Sequence, residues 1–332
     1  MSLRTYLVKR FFIAIVLFFT VLVFNFFLFR LPIFVLGMDP MTLYIEPGME
    51  PDTIALLREQ YGIPEQNAGF AEWFNHFLLY MRNMVTLEFG QSFDSNRPVS
   101  LEIMERLPNT IILMGTATVT SILLGVVSGI IAASRHGGKL DTGFITVGLS
   151  LYSVPVFWVG MMLLLFFAFF IPIFPMGKSL SYPIPTNPIS RLLDLIWHLI
   201  LPCTTLTLGL FGGYMLLMRN TLVEVLTEDY ILTAKAKGLA ERTVLFKHGL
   251  RNAFLPLITV IAISFAFIVS GAVLTETVFA WYGMGRLLFQ ALLAFDWPVT
   301  QAIFWMIAVT VIIANILADL LYGVLDPRIK YG

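Results

Sequence analysis

Residues 11–29, FFIAIVLFFTVLVFNFFLF, run for 19 positions without a charge between Arg10 and Arg30. The hydrocarbon core of a bilayer is about 30 Å thick and takes roughly 20 apolar residues in helical form. This stretch therefore reads as a membrane-spanning helix. The basic residues ahead of it would also suit a secretory signal, but a signal core is usually about 7–15 residues long. No small-x-small cleavage site follows, so the segment is expected to remain as an uncleaved helix.

Working outward, five further uncharged stretches of at least that length lie at residues 110–134, 142–177, 195–218, 252–275 and 297–318. The run 142–177 is too long for one helix. Pro172 and Pro175 end it early, which places the span near residues 144–171. Pro155 is expected to kink it, because proline removes a backbone donor. The expected fold is thus all-α: a polytopic membrane protein with six transmembrane helices. An extracytoplasmic insertion separates helices 1 and 2, and a cytoplasmic loop separates helices 4 and 5. In domain terms, residues 1–37 hold the N-terminus and first helix, and 38–109 the extracytoplasmic segment. Residues 110–325 hold the core, with its loop at 219–251, and 326–332 a cytoplasmic tail.

Composition agrees. Hydrophobic residues make up 58% of the chain and charged residues 13%, against about 25% charged in soluble domains. The formal net charge of zero excludes a strongly basic nucleic-acid binder on bulk electrostatics. Cys203 is the single cysteine, so neither an intramolecular disulfide nor a thiolate cluster is available. His76, His136, His198 and His248 are scattered, and no metal site is expected.

Lys and Arg in short loops orient a membrane protein. With the N-terminus inside, thirteen of them fall in the cytoplasm, among them Lys9, Arg10, Arg135, Lys139, Arg219 and Lys247. Only Lys178, Arg191 and Arg286 fall in the two short outer loops. Both termini are then cytoplasmic. Residues 38–109 are too long for this rule and carry eleven acids against four bases; they are expected to form a solvated, partly helical subdomain. Gly125 and Gly129, at Gly-x-x-x-Gly spacing, and the cluster Gly209, Gly212 and Gly213 suit close helix packing.

The inner loop 219–251 exceeds the two to eight residues usual between helices. It reads as helix, break, helix. Thr227 is placed to cap the first helix, Glu228 and Asp229 sit in its positive first turn, and Lys235 and Lys237 complement its last turn. Gly238 follows, where a left-handed glycine would end it. So short a helix is marginal alone in water. It needs a partner surface, which is either membrane or, more sharply, another protein.

The string Asp229-Tyr230-Ile-Leu-Thr233-Ala234-Lys235-Ala236-Lys237-Gly238-Leu239, continued by Lys247-His-Gly-Leu-Arg-Asn-Ala253 and Pro256, resembles the cytoplasmic signature of binding-protein-dependent ABC importer permeases. In the wider family that signature begins Glu-Ala-Ala; here Leu232 and Thr233 replace the first two, as in the dipeptide/oligopeptide/nickel branch. Further pieces are similar to the B-type subunit of that branch: Leu7-Val-Lys-Arg10, Gly37-Met-Asp-Pro40, Glu105-Arg-Leu-Pro-Asn-Thr110, Val154-Pro-Val-Phe-Trp158, Val273-Leu-Thr-Glu-Thr-Val-Phe279, Gly283-Met-Gly-Arg-Leu287 and Leu325-Asp-Pro-Arg-Ile329.

The resemblance implies that two permease subunits, this one and a C-type homologue, form the pore in the bilayer. Two cytoplasmic ATPases power it, and an extracytoplasmic binding protein delivers substrate. It implies that Glu228, Asp229, Tyr230, Thr233, Ala234, Lys235, Ala236, Lys237, Gly238 and Leu239 couple to an ATPase, and that ATP and Mg are held by the ATPases, with no cofactor on this chain. Peptides are the expected cargo; nickel and oligosaccharides are the alternatives within the branch. No Gly-x-x-x-x-Gly-Lys-Ser/Thr occurs, the nearest fragment being Gly177-Lys178-Ser179, and neither His-Glu-x-x-His nor Gly-x-Ser-x-Gly is present. The chain is therefore expected to be non-catalytic. An ion-coupled secondary transporter is the competing class, although no internal repeat supports it.

Ionisable groups at membrane depth usually face a cavity or a partner. Glu276, near the outer end of the fifth span, is expected either to face the translocation path at a gate or to cap the turn 281–285. Asp319 is expected to snorkel or to pair locally with Arg328. Asn25 and His198 read as helix–helix hydrogen bonders.

Overall fold

The computed structural model describes residues 3–36, 42, 44–45, 48–61 and 69–325. The side chain of Asp319, the motif 37–40, Arg328 and the tail 326–332 lie outside the described residues. In chain order the helices are α1 (Leu3–Leu36), α2 (Pro51–Tyr61), α3 (Phe70–Thr86), α4 (Val99–Ser134), α5 (Lys139–Ser153) and α6 (Val156–Leu164), the last continued by a π-helical turn Leu165–Phe170. Then come α7 (Pro188–Leu226), α8 (Asp229–Ala236), α9 (Glu241–Thr243), a π-helical turn Val244–Gly249, α10 (Leu250–Ala266), α11 (Val273–Val278), α12 (Met284–Leu293) and α13 (Trp297–Leu325). No strand occurs among the described residues. Among the described residues five helical stretches are long and apolar enough to span a bilayer, six where the bent pair α5–α6 counts as one span. Helices suit lipid because every interior backbone donor and acceptor is paired within its own segment.

Three expected spans change shape. Pro155 does more than kink: α5 and α6 meet at 92°. Val154 is extended (φ −89°, ψ 133°), as the residue before a proline is pushed to be, so the helix stops and restarts. The stretch 252–275 is helical only to Ala266, then turns through Gly271 (φ 72°) and restarts at Val273. The third change concerns the fourth span, which extends past its apolar run at both ends, to Pro188 and Leu226. Asn187 caps it by accepting from the Ile189 N–H at 2.9 Å, and Pro188 sits where its missing N–H costs nothing.

The chain divides into two compact units. One contains α1–α3, the start of α4, α12 and α13; the other runs from Asn109 to Gly283. In the first, α1 packs along α13. Asn25 Nδ2 donates to the Gln301 carbonyl at 3.1 Å, and Arg30 donates to the Gln301 side chain at 3.0 Å. Asp296 begins α13: its carboxylate accepts from Ser92 Oγ and from the Asp94 and Val299 N–H groups. Burial pushes the pKa of this carboxyl above the usual carboxylate range, while those hydrogen bonds oppose the shift.

In the second unit α7 is the central rod. Tyr214, Met218 and Leu222 pack with Ala133 of α4 and with Leu250, Ala253 and Leu257 of α10. Gly125 and Gly129 let α4 lie against it; a Cβ at Gly129 would stand 2.7 Å from the Met215 carbonyl and 2.8 Å from Met218 Cβ. Tyr214 donates to Ser264 Oγ at 2.6 Å, tying α7 to α10. His198 instead bonds within its own helix, Nδ1 lying 2.8 Å from the Asp194 carbonyl.

A clamp joins α7 to the α4–α5 turn. Arg219 Nε and Nη2 donate to Asp141 Oδ1 and Oδ2 at 2.9 and 2.7 Å, the two-pronged geometry in which Arg holds carboxylates best. The Gly137 N–H adds a third bond to Asp141 at 2.8 Å. His136 Nδ1 accepts from Arg219 Nη2 at 2.8 Å. Asp141 is buried and Arg219 nearly so.

Gly129→Val is expected to cost about 1–3 kcal/mol, as overpacking does, and to lower Tm in detergent. Gly213→Ala, with nothing within 4 Å of the added Cβ, leaves Tm unchanged. Asp141→Ala strands a near-buried guanidinium and is expected to lower Tm. The exchange of Asp141→Arg with Arg219→Asp recovers part of the loss, and no recovery means the pair is not what holds the turn.

Candidate functional site

Between Leu226 and Glu241 the chain leaves the span, forms one short helix and returns. Within residues 219–251, expected to form the loop, α7 continues to Leu226 and helix resumes at Glu241. Thr227 does not cap α8. Its hydroxyl donates back to the Glu224 carbonyl at 2.7 Å, a local bond that Thr often prefers, and it closes α7 instead. Glu228 holds the N-cap position (φ −71°, ψ 148°) without a side-chain cap. Asp229 and Lys235 lie in the first and last turns of α8, each matched to the sign of the helix end.

The end of α8 is a closed motif. The Gly238 N–H donates to the Lys235 carbonyl at 2.9 Å and the Leu239 N–H to the Ala234 carbonyl at 3.4 Å. This pair of bonds defines a Schellman cap. It requires a left-handed residue after the helix, and Gly238 supplies it at φ 74°.

One narrow stripe anchors the helix. Ile231 and Ala234 are buried with Val244, against Leu226. Tyr230 Oη accepts from Asn252 Nδ2 at 2.7 Å, linking α8 to the start of α10. Thr233 Oγ1 donates to the Asp229 carbonyl. The remaining face stands in the open: Glu228, Asp229, Tyr230, Leu232, Thr233, Lys235, Ala236, Lys237, Gly238 and Leu239 are exposed. Leu232 is 54% exposed and Phe246, just beyond the turn, 59%. Apolar side chains ringed by lysines, on a helix of 8 residues, make a surface suited to docking against protein.

Of the residues expected to form the coupling surface, Ala234 is buried and with Ile231 anchors the helix, while the other nine are exposed; the partners Leu226, Val244 and Asn252 were not expected. Ile231 and Ala234, three apart, carry a short helical signal. Leu226, Val244 and Asn252 are separated from them by breaks and carry none. The Asp141–Arg219 clamp was also missed; Arg219 lies one helical turn before the last turns of α7 that lead into α8.

Glu276 sits apart from this surface. It is fully buried; its Oε1 accepts from Thr110 Oγ1 at 3.0 Å and from the Ala272 N–H at 3.4 Å. A Cβ on Gly283 would collide with its carboxylate. The turn above is held by the Trp281 N–H on the Glu276 carbonyl, by Trp281 Nε1 on the Asn109 carbonyl, and by Asn109 Nδ2 on the Tyr282 carbonyl. Glu276 thus braces the turn 281–283, next to the capping role expected for it.

Comparison with known proteins places this architecture. Residues 125–331 match the family described as binding-protein-dependent transport system inner membrane component, and residues 3–114 match the N-terminal part of the same component. The chain is 35% identical over 294 residues to the oligopeptide transport system permease protein AppB of Bacillus subtilis, covering 88% of this chain and 90% of that protein. It is 36% identical over 296 residues to a probable peptide ABC transporter permease protein, y4tP, of Sinorhizobium fredii, with the same coverage of each. To the dipeptide transport system permease protein DppB of Escherichia coli it is 33% identical over 311 residues, again covering 88% and 90%. With both family regions spanning the described helices, the chain belongs to the binding-protein-dependent transport system inner membrane components.

Proposed function

We propose that this chain is the B-type permease subunit of an ATP-driven importer of peptides, coupled to a cytoplasmic ATPase through α8. The observation that carries the reading is the exposed, Schellman-capped helix α8, anchored by Ile231 and Ala234 at the end of α7. A short helix held this rigidly, with its apolar and lysine-bearing face uncovered, is suited to sit in a groove of another protein and pass on its displacement. Peptide cargo is supported by the curated relatives named above, whose names give oligopeptide or dipeptide transport.

On this reading the partners are a second, C-type permease, two ATPases that hold ATP and Mg and carry out all hydrolysis, and an extracytoplasmic binding protein. The excess of Lys and Arg in the loops joining α4 to α5 and α7 to α10 supports a cytoplasmic position for these loops and for both termini. Arg219 and Asp141 then link the docking helix to the α4–α5 turn, so that α7 and α5 respond to the ATPase together. Glu276 is proposed to set the stiffness of the turn at the opposite end of this unit, as part of an outer gate.

The test lies at Gly238. A Cβ there meets nothing of this chain within 4 Å, so within the subunit substitution acts through backbone conformation. Left-handed conformation costs an L-residue roughly 1–2 kcal/mol, and Asn tolerates it best. Gly238→Val is expected to abolish substrate-stimulated ATP hydrolysis by the assembled transporter while insertion stays normal, and Gly238→Asn to keep most of it. Equal stimulation in Gly238→Val and the parent would remove the coupling role.

A further inference from the structure

Helix α3 (Phe70–Thr86) lies within the stretch expected to be a water-solvated insertion, but it packs against two helices whose apolar stretches are long enough to cross a bilayer. Trp73, Phe77, Tyr80 and Met84, at helical spacing, turn toward α1 and α13. Tyr80 and Met84 are buried with Leu22 and Phe26, and Trp305 packs at the edge of the cluster. The Phe26 ring lies 5.1 Å from Phe77 and 5.4 Å from Tyr80. Leu22 and Phe26 belong to the apolar stretch Lys9–Arg30, and Trp305 to Trp297–Leu317, two of the stretches long enough to cross a bilayer.

At 100° per residue, Phe70, Phe74, Leu78 and Val85 form a second apolar sector next to the packed one. None of these is covered: Phe70 is 87% exposed, and the other three about half or more. Phe70 and Phe74 stack at 6.3 Å. The rest of the circumference carries Glu72, Asn75, Arg82 and Thr86, with Leu79 the apolar exception. The helix is therefore apolar over about twice the arc that α1 and α13 cover.

We propose that α3 is seated in the bilayer surface, with Phe70, Phe74, Leu78 and Val85 in contact with lipid acyl chains and Glu72, Asn75 and Arg82 toward headgroups and water. Lipid is the occupant because the uncovered sector continues the exposed apolar face of α1 at the same level, where Phe19, Val23 and Phe27 are likewise bare. Amphipathic helices with Phe and Leu on one face bury that face at the headgroup–acyl boundary. Glu72 and Arg82 balance, so attraction to anionic lipid is not required.

Nitroxides placed singly at positions 74, 78, 85, 75 and 82 in a Cys203→Ala background, in the assembled transporter in zwitterionic liposomes, test this. At 74, 78 and 85 collision with oxygen is expected to exceed collision with a water-soluble nickel chelate, and at 75 and 82 the order reverses. Nickel access equal at all five positions means water covers α3. Shielding of 74, 78 and 85 from both reagents means another protein does. Either result overturns the proposal. The unmodified transporter offers a check independent of substitution: photolabelling with a diazirine-bearing phospholipid is expected to give adducts within residues 70–85. Adducts on residues 11–29 with none on 70–85 would refute it.

Discussion

The second unit depends on how closely helix backbones approach α7. Lipid tails are as apolar as Leu, so no hydrophobic drive pulls helices together within a bilayer. Contact has to come from close packing and hydrogen bonds. Here α4 lies on α7 where Gly125 and Gly129 leave no side chain between the two backbones. Polar bonds then fasten the neighbours, through Tyr214 to Ser264 of α10 and Arg219 to Asp141 of α5. A larger residue at the crossing would separate the helices and strain those bonds together.

That rod is also longer than a membrane needs. The 39 residues of α7 extend about 58 Å at 1.5 Å per residue, against a hydrocarbon core of about 30 Å. Its C-terminal end leads into α8, and the Asp141–Arg219 clamp fastens that end to the α4–α5 turn. A displacement applied at α8 thus meets a continuous helix rather than a loose loop. The same economy of contact governs the first unit, where Asp296 joins the start of α13 to residues 92–94 through two hydrogen bonds and caps α13 with a third, from the Val299 N–H.

Much of this was legible in the chain. The number of spans follows from uncharged runs, and the end of α8 from Gly238, because only glycine adopts that backbone freely. Asn187-Pro188 is a helix-start signal that would have extended α7 at its N-terminal side. What was not legible is long-range. Asp141 and Arg219 are 78 positions apart, and nothing local distinguishes their pairing from two charges in separate loops. The 92° bend at Pro155 depends on Val154 and Pro155 both leaving the helical region, where one broken hydrogen bond alone would give a kink. Thr227 was misplaced because one hydroxyl can serve either of two helix ends, and the nearer carbonyl of Glu224 wins. The packing of α3 on α1, through Tyr80 and Met84 against Leu22 and Phe26, is likewise long-range and left no local mark.

The central claim is that α8 is gripped by a separate nucleotide-hydrolysing protein. Its most direct test is site-specific cross-linking from the exposed face of α8: a Leu232→Cys variant, in a Cys203→Ala background, treated with a short thiol-to-amine cross-linker in membranes holding the assembled transporter. The account predicts a single adduct with the ATPase subunit, altered in yield when non-hydrolysable nucleotide closes the ATPase pair. Adducts only with lipid, with this chain itself, or with a protein on the opposite side of the membrane would contradict it.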